Sequence, residues 1–87
     1  MFRVEWLQTA LNELAAVWLQ ADSAQRKAIT TAAQAIDKLL QRSPQREGES
    51  RAHGQRILFE PPLAVTFEVH PQRSLVRVLH VWSPQRR

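Results

Sequence analysis

The stretch Val76-Arg-Val-Leu-His-Val-Trp82 constrains this chain more than any other. It reads as a strand that is apolar on both faces, and such a strand belongs in the interior of a sheet with a neighbour on either side. Arg77 and His80 are set into it. A sheet strand holds side chains rigidly, so cations placed there form a fixed, anion-facing surface rather than a solvated fringe. A basic tail, Ser83 to Arg87, follows at once.

The neighbours of that strand come from both ends of the chain. Phe2, Val4 and Trp6 alternate with Arg3 and Glu5, the period-2 pattern of a half-buried strand. Leu7, Ala10, Leu11, Leu14, Ala15 and Trp18 then recur at helical spacing to about Gln20. Asp22 and Ser23 can cap a second helix, with Gln25 placed to complete a capping box on Asp22. Ala28, Ile29, Ala32, Ala33, Ile36, Leu39 and Leu40 form its stripe, and Pro44 ends it near Arg42. The alanines suit close packing of the two helices.

Residues 43–55 are polar, contain both glycines and show no periodicity, which predicts a long loop. Arg56 to Glu60 reads as a strand ending at Pro61-Pro62. Leu63 to His70 alternates Val65, Phe67 and Val69 with Thr66, Glu68 and His70. A Pro71-Gln72-Arg73 turn leads into the last strand. The expectation is one α+β domain over residues 1–87, ordered β-α-α-β-β-β, with a helical hairpin packed on a mostly antiparallel four-stranded sheet. Its parts are a strand and hairpin (1–42), a loop (43–55), antiparallel strands (56–82) and a basic tail (83–87).

Eighty-seven residues bury only about 60–65% of their unfolded surface, so a bound partner would add usefully to stability. The absence of cysteine excludes disulfides and thiolate metal sites and fits a reducing cytoplasm. The N-terminus, Met-Phe-Arg-Val-Glu-Trp, lacks the apolar core of a signal peptide. No apolar run approaches the roughly 20 residues of a membrane span. A soluble cytoplasmic protein is expected. Net charge is +4, and ten of the twelve basic residues are arginine. Residues 1–42 carry five basic and four acidic side chains, whereas residues 43–87 carry seven and four. The electrostatic footprint therefore falls on the second half, which suits nucleic acid or an acidic peptide.

The order of elements, in fewer than 100 residues, resembles the RelE/ParE superfamily of toxins from bacterial type II toxin–antitoxin pairs. The likeness runs through the N-terminal aromatic strand, Ala10-Leu-Asn-Glu-Leu14, Ile36-Asp-Lys-Leu-Leu40, the Gly-containing loop leading to Arg56, Pro62-Leu-Ala-Val-Thr-Phe-Glu-Val69, and Val76 to Trp82 followed by Arg86. The close is nearer to ParE, whose hydrophobic strand runs into a His-Gly and arginine segment. The departures are Ala64 where many RelE-like members carry arginine, no tyrosine anywhere, and Ser83-Pro84 in place of His-Gly. The resemblance implies a partner antitoxin with an acidic segment. It also implies a target, either ribosome-bound mRNA that is cleaved or DNA gyrase that is inhibited.

Cleaving RNA through its own 2′-hydroxyl requires a base, an acid and cations that steady the phosphorane. His80 is the foremost acid or base candidate, because histidine titrates near neutrality. Glu49, or Glu47, is the candidate base. Arg51, Arg56 and Arg77 are candidate phosphate or partner contacts, joined by Trp82 and Arg86 at the end of the chain. The plainer view of His80 is a partly buried histidine satisfied by a backbone carbonyl. Trp6, Trp18 and Trp82 read first as core, with Trp82 held open because it ends a strand beside the basic tail. On a regular strand His80 shares a face with Val76, Val78 and Trp82, and Arg77 lies opposite with Leu75 and Leu79. Both line one site only if a bulge intervenes. The three histidines have no metal-ligand spacing, and no cofactor is expected. A basic nucleic-acid-binding module without toxicity is the reading from another class.

Overall fold

The computed structural model describes residues 1–84, so Arg86 and the end of the expected basic tail lie outside the described residues. The elements are β1 (Arg3–Trp6), α1 (Gln8–Leu19), α2 (Ser23–Arg42), β2 (Glu49–Ser50), β3 (Gln55–Glu60), β4 (Leu63–His70) and β5 (Leu75–Trp82). The α+β order is as expected, but the sheet has five strands rather than four. Within the stretch read as loop, Glu49 and Ser50 pair antiparallel with Ile57 and Arg56. Single 3₁₀ turns at Pro44–Arg46 and Ala52–Gly54 flank that short strand.

The sheet order is β1-β5-β4-β3-β2. Among the described residues the β1–β5 pair is parallel and the other three pairs are antiparallel. The doubly apolar strand β5 is thus interior, between the N-terminal strand and β4.

Local chemistry fixes the helical hairpin. The Asp22 carboxylate accepts from the Gln25 N–H at 2.8 Å, and the Gln25 side chain accepts from the Asp22 N–H at 2.9 Å, which completes the capping box. Ser43 leaves helical geometry at φ −146° and Pro44 follows, buried. α1 has no basic residue in its last turn. Arg26 of α2 serves that end instead, donating to the carbonyls of Trp18 at 2.9 Å and Leu19 at 3.1 Å. Its guanidinium also lies 4.1 Å from the centre of the Trp18 ring.

Both helices pack on one face of the sheet. Ala10 of α1 and Ile29, Ala32, Ile36 and Leu40 of α2 close over Leu58, Leu63, Val65, Phe67, Val76, Val78 and Val81. Ala28, at the margin of the expected stripe, is exposed. Each of the larger aliphatic and aromatic side chains buried here contributes about 1.5–3 kcal/mol. β1 is tied to α2 by polar contacts as well. Trp6 Nε1 donates to Asp37 Oδ1 at 3.1 Å, and the Phe2 N–H donates to the Gln41 carbonyl at 3.0 Å. Trp6 is therefore a half-buried core residue with its N–H satisfied.

Replacing Asp22 with alanine removes one half of the capping box and should cost about 1 kcal/mol. In urea the unfolding midpoint should fall with an unchanged slope; an unchanged midpoint would mean that the box does not hold the start of α2.

Candidate functional site

Pairing registers define what the other face of the sheet presents, because residues directly opposite each other project to the same side. β4 and β5 pair as Glu68–Arg77 and Phe67–Val78, then pass directly to Thr66–His80, Val65–Val81 and Ala64–Trp82. Leu79 is the additional residue, a β-bulge in β5. Val78 and Val81 can therefore both face the helices, while Arg77 and His80 both face away from them. The bulge that the sequence left as a condition is present, so these two residues share a face.

Following the registers across the sheet gives three rows on this open face. One runs Glu49–Ile57–Thr66–His80 through β2, β3, β4 and β5. A second, Phe59–Ala64–Trp82, sets alanine between two aromatic residues. The third runs Gln55–Glu68–Arg77–Glu5 and ends on β1. In that third row Arg77 Nε lies 3.5 Å from Glu5 Oε1, and Arg3 Nη2 lies 3.4 Å from Glu5 Oε2. His70 Nε2 is 2.8 Å from Glu68 Oε1. The Arg77 charge is thus balanced within the sheet by a neighbouring carboxylate.

His80 is exposed and meets a carboxylate, rather than being the partly buried, carbonyl-satisfied histidine of the plainer view. Its side chain is 56% exposed, and its Nδ1 lies 3.4 Å from Glu13 Oε2. The other oxygen of that carboxylate accepts from the Val81 N–H at 3.0 Å. Trp82 is half-buried and lies on the open face rather than in the main core. Trp18, also read as core, is 39% exposed on the outside of the hairpin.

Arg56 has a different post. It pairs with Phe67, so it projects toward the helix side. Its Nε donates to the Glu47 carbonyl at 2.8 Å, Nη1 to Ser50 Oγ at 2.9 Å, and Nη2 to the Gly48 carbonyl at 3.2 Å. One planar fork therefore clamps the turn that carries β2. Gly48 completes the clamp, at φ +70°, where an added Cβ would overlap the Ile57 carbonyl. With the turn held, Glu49 and Arg51 form an exposed ion pair at 3.1 Å at the sheet edge. Arg56 and Arg77 consequently lie on opposite faces and do not converge on one phosphate. Glu47 lends its backbone carbonyl to the Arg56 clamp.

A second surface lies on the outside of the hairpin. Leu11, Leu14, Ala15, Trp18, Ile29 and Ala33 line a shallow apolar groove of about 470 Å³ between α1 and α2. Leu11 and Leu19 are 43% and 67% exposed there. Alternation and helical spacing alone missed this groove, because both helices carry apolar residues beyond the stripe that packs on the sheet.

No family model and no curated protein sequence matches the chain. Solved structures do. A chain of the toxin–antitoxin complex RelBE2 from Mycobacterium tuberculosis superposes with a TM-score of 0.76 at 16% identity, over 95% of this chain and 91% of that one. The chromosomal ParDE system of P. aeruginosa gives 0.68 at 20% identity, over 98% of each chain. The isolated E. coli RelE toxin gives 0.65 at 19% identity, over 100% of this chain and 88% of RelE. At these identities the likeness is one of fold, and it spans the whole domain.

The clamp generates a test. Arg56→Lys keeps the charge but loses the fork, and should weaken closure of the turn by about 2 kcal/mol. Hydrogen exchange at the Arg51 amide, which donates to the Gln55 carbonyl, should then quicken about 30-fold, while Val65 and Phe67 amides hold their rates. Equal acceleration at all three positions would instead mean global destabilisation.

Proposed function

We propose that this chain, which has the RelE/ParE toxin fold, is the toxin of a bacterial type II toxin–antitoxin pair and that it cleaves RNA. The observation that carries the RNA target is the row Glu49–Ile57–Thr66–His80 on the open face. Three strand spacings separate its ends, about 14 Å between Cα atoms. Side chains of glutamate and histidine reaching inward from those ends leave room for one phosphodiester above Ile57 and Thr66.

The chemistry follows from that placement. The Glu49 carboxylate takes the proton of a 2′-hydroxyl, whose oxygen forms a bond to the adjacent phosphorus. The bond from phosphorus to the 5′ oxygen breaks, and His80 supplies the proton that this oxygen needs. The products are a 2′,3′-cyclic phosphate and a 5′-hydroxyl, with no cofactor required. Arg51, paired to Glu49, and Arg77, in the adjoining row, supply positive charge beside the phosphorane. Phe59 and Trp82, in the row on the other side, offer apolar rings against which a base can stack.

Complexes of the same fold with antitoxins support a protein partner for this chain too. The groove between α1 and α2 suits the apolar side of an amphipathic helix, and the basic second half of the chain suits an acidic segment. A cytoplasmic setting goes with this role. The second reading, inhibition of DNA gyrase, draws on the ParDE likeness over 98% of both chains; in it Glu49 and His80 would be bystanders.

Inducing the chain alone in a bacterial host, with pulse-labelling of protein and DNA synthesis, separates these. Arrest should come with translation falling first, and His80→Ala or Glu49→Gln should relieve it and slow RNA cleavage about 100-fold or more. DNA synthesis falling first, with both variants still toxic, would favour gyrase. Absence of arrest would leave a nucleic-acid-binding module and sink the toxin reading in that host.

A further inference from the structure

We infer that Glu13 is a positioning residue for His80, holding the proton on Nδ1 so that Nε2 alone exchanges a proton with substrate. The inference deepens the RNA-directed reading and rests on it for its catalytic consequence.

Three observations converge on Glu13. First, it stands on the flank of α1, three residues after the buried Ala10 and four before the half-buried Val17, with its side chain 39% exposed. From that flank the carboxylate reaches the edge of β5 while still meeting solvent. Second, β1 pairs with β5 only from Leu75 to Val78, so the rest of β5 runs past the end of β1. The Leu7 N–H closes the Val78 carbonyl at 3.0 Å, after which α1 begins and the strand edge is open. Glu13 Oε1 accepts from the next outward backbone donor, the Val81 N–H, at 3.0 Å. The backbone of β5 therefore fixes the carboxylate. Third, the remaining oxygen, Oε2, lies 3.4 Å from His80 Nδ1.

A carboxylate only accepts hydrogen bonds, so this contact places the hydrogen on Nδ1. Nε2, which has no protein partner among the described residues, carries the second proton of the imidazolium; that proton passes to the departing 5′ oxygen, and the ring keeps its Nδ1 hydrogen throughout. Proton count is conserved: Nε2 loses one, the 5′ oxygen gains one, and Glu13 stays a carboxylate. The bulge at Leu79 is what makes the arrangement possible, because it turns His80 to the open face while leaving Val81 at the edge facing Glu13.

Glu13→Gln tests the pairing with little change of shape. The amide oxygen can still accept from Val81, but the amide nitrogen now meets Nδ1 and can only donate. Neutral His80 must then carry its hydrogen on Nε2. Long-range ¹⁵N NMR on the full chain should show Nδ1–H for the neutral ring in the wild type and Nε2–H in the variant, with the Val81 amide signal little moved. RNA cleavage should fall about 10- to 100-fold. A wild-type ring protonated on Nε2, or a pattern that the substitution leaves unchanged, would overturn the inference. A switched pattern in a chain whose wild type cuts no RNA would uphold the pairing and sink the RNA-directed reading.

Discussion

Leu79 has no partner on β4, and the arrangement of the site follows from that one irregularity. Val78 and Val81 are both buried among the helices although three positions separate them. A regular strand cannot aim both inward, because alternate residues face opposite sides. The extra residue reconciles them, and in doing so turns His80 outward beside Thr66 instead of into a core that offers no partner for an imidazole. It lies just beyond the last β1–β5 pair, where α1 takes over the edge and Glu13 receives the freed N–H of Val81. The strand that is apolar on both faces can therefore satisfy the core and still present a titratable group to solvent.

The two ends of the candidate row are held by different means. His80 is set by the sheet, through the bulge and the Glu13 carboxylate. Glu49 is set by a turn, through the three hydrogen bonds of Arg56 and a glycine that approaches the Ile57 carbonyl too closely for any side chain. Arginine suits this post because its fork reaches three acceptors at once, which the single ammonium of lysine does not match in a fixed plane. Positive charge on the open face then comes from Arg51, beside Glu49, and from Arg77 and Arg3, which share the Glu5 carboxylate. That leaves a face that is polar without a strong local excess of either sign, flanked by the aromatic pair Phe59 and Trp82.

Much of the fold was legible in the residues, because burial imposes a period. The stripe of α2 and the Asp22–Gln25 box give its start, Pro44 its end, and the two apolar faces of β5 its interior place. What escaped lacks a period. Two residues, Glu49 and Ser50, are too few to alternate, so β2 reads as loop. The orientation of β3 is ambiguous, since Ile57 and Phe59 are as apolar as Leu58; the structure buries Leu58, and with it sends Arg56 to the helix side. The bulge left a trace in the spacing of Val78 and Val81, whereas Glu13, partly exposed on the flank of α1, left none. The bulge's trace becomes readable only once the core face is known, and the contact of Glu13 with β5 only once the strand edge is. Trp18 reads as core because it falls on the apolar stripe of α1, but Arg26 holds it over the end of that helix instead.

The outward placement of His80 depends on the register of β4 against β5, and cross-strand nuclear Overhauser contacts between backbone protons measure that register directly. The expected pattern pairs Phe67 with Val78 and Thr66 with His80, with Leu79 unmatched. Contacts pairing Thr66 with Leu79 and Val65 with His80 would contradict the bulge, because an unbroken ladder would turn His80 into the helix-packed core and leave the open face without it.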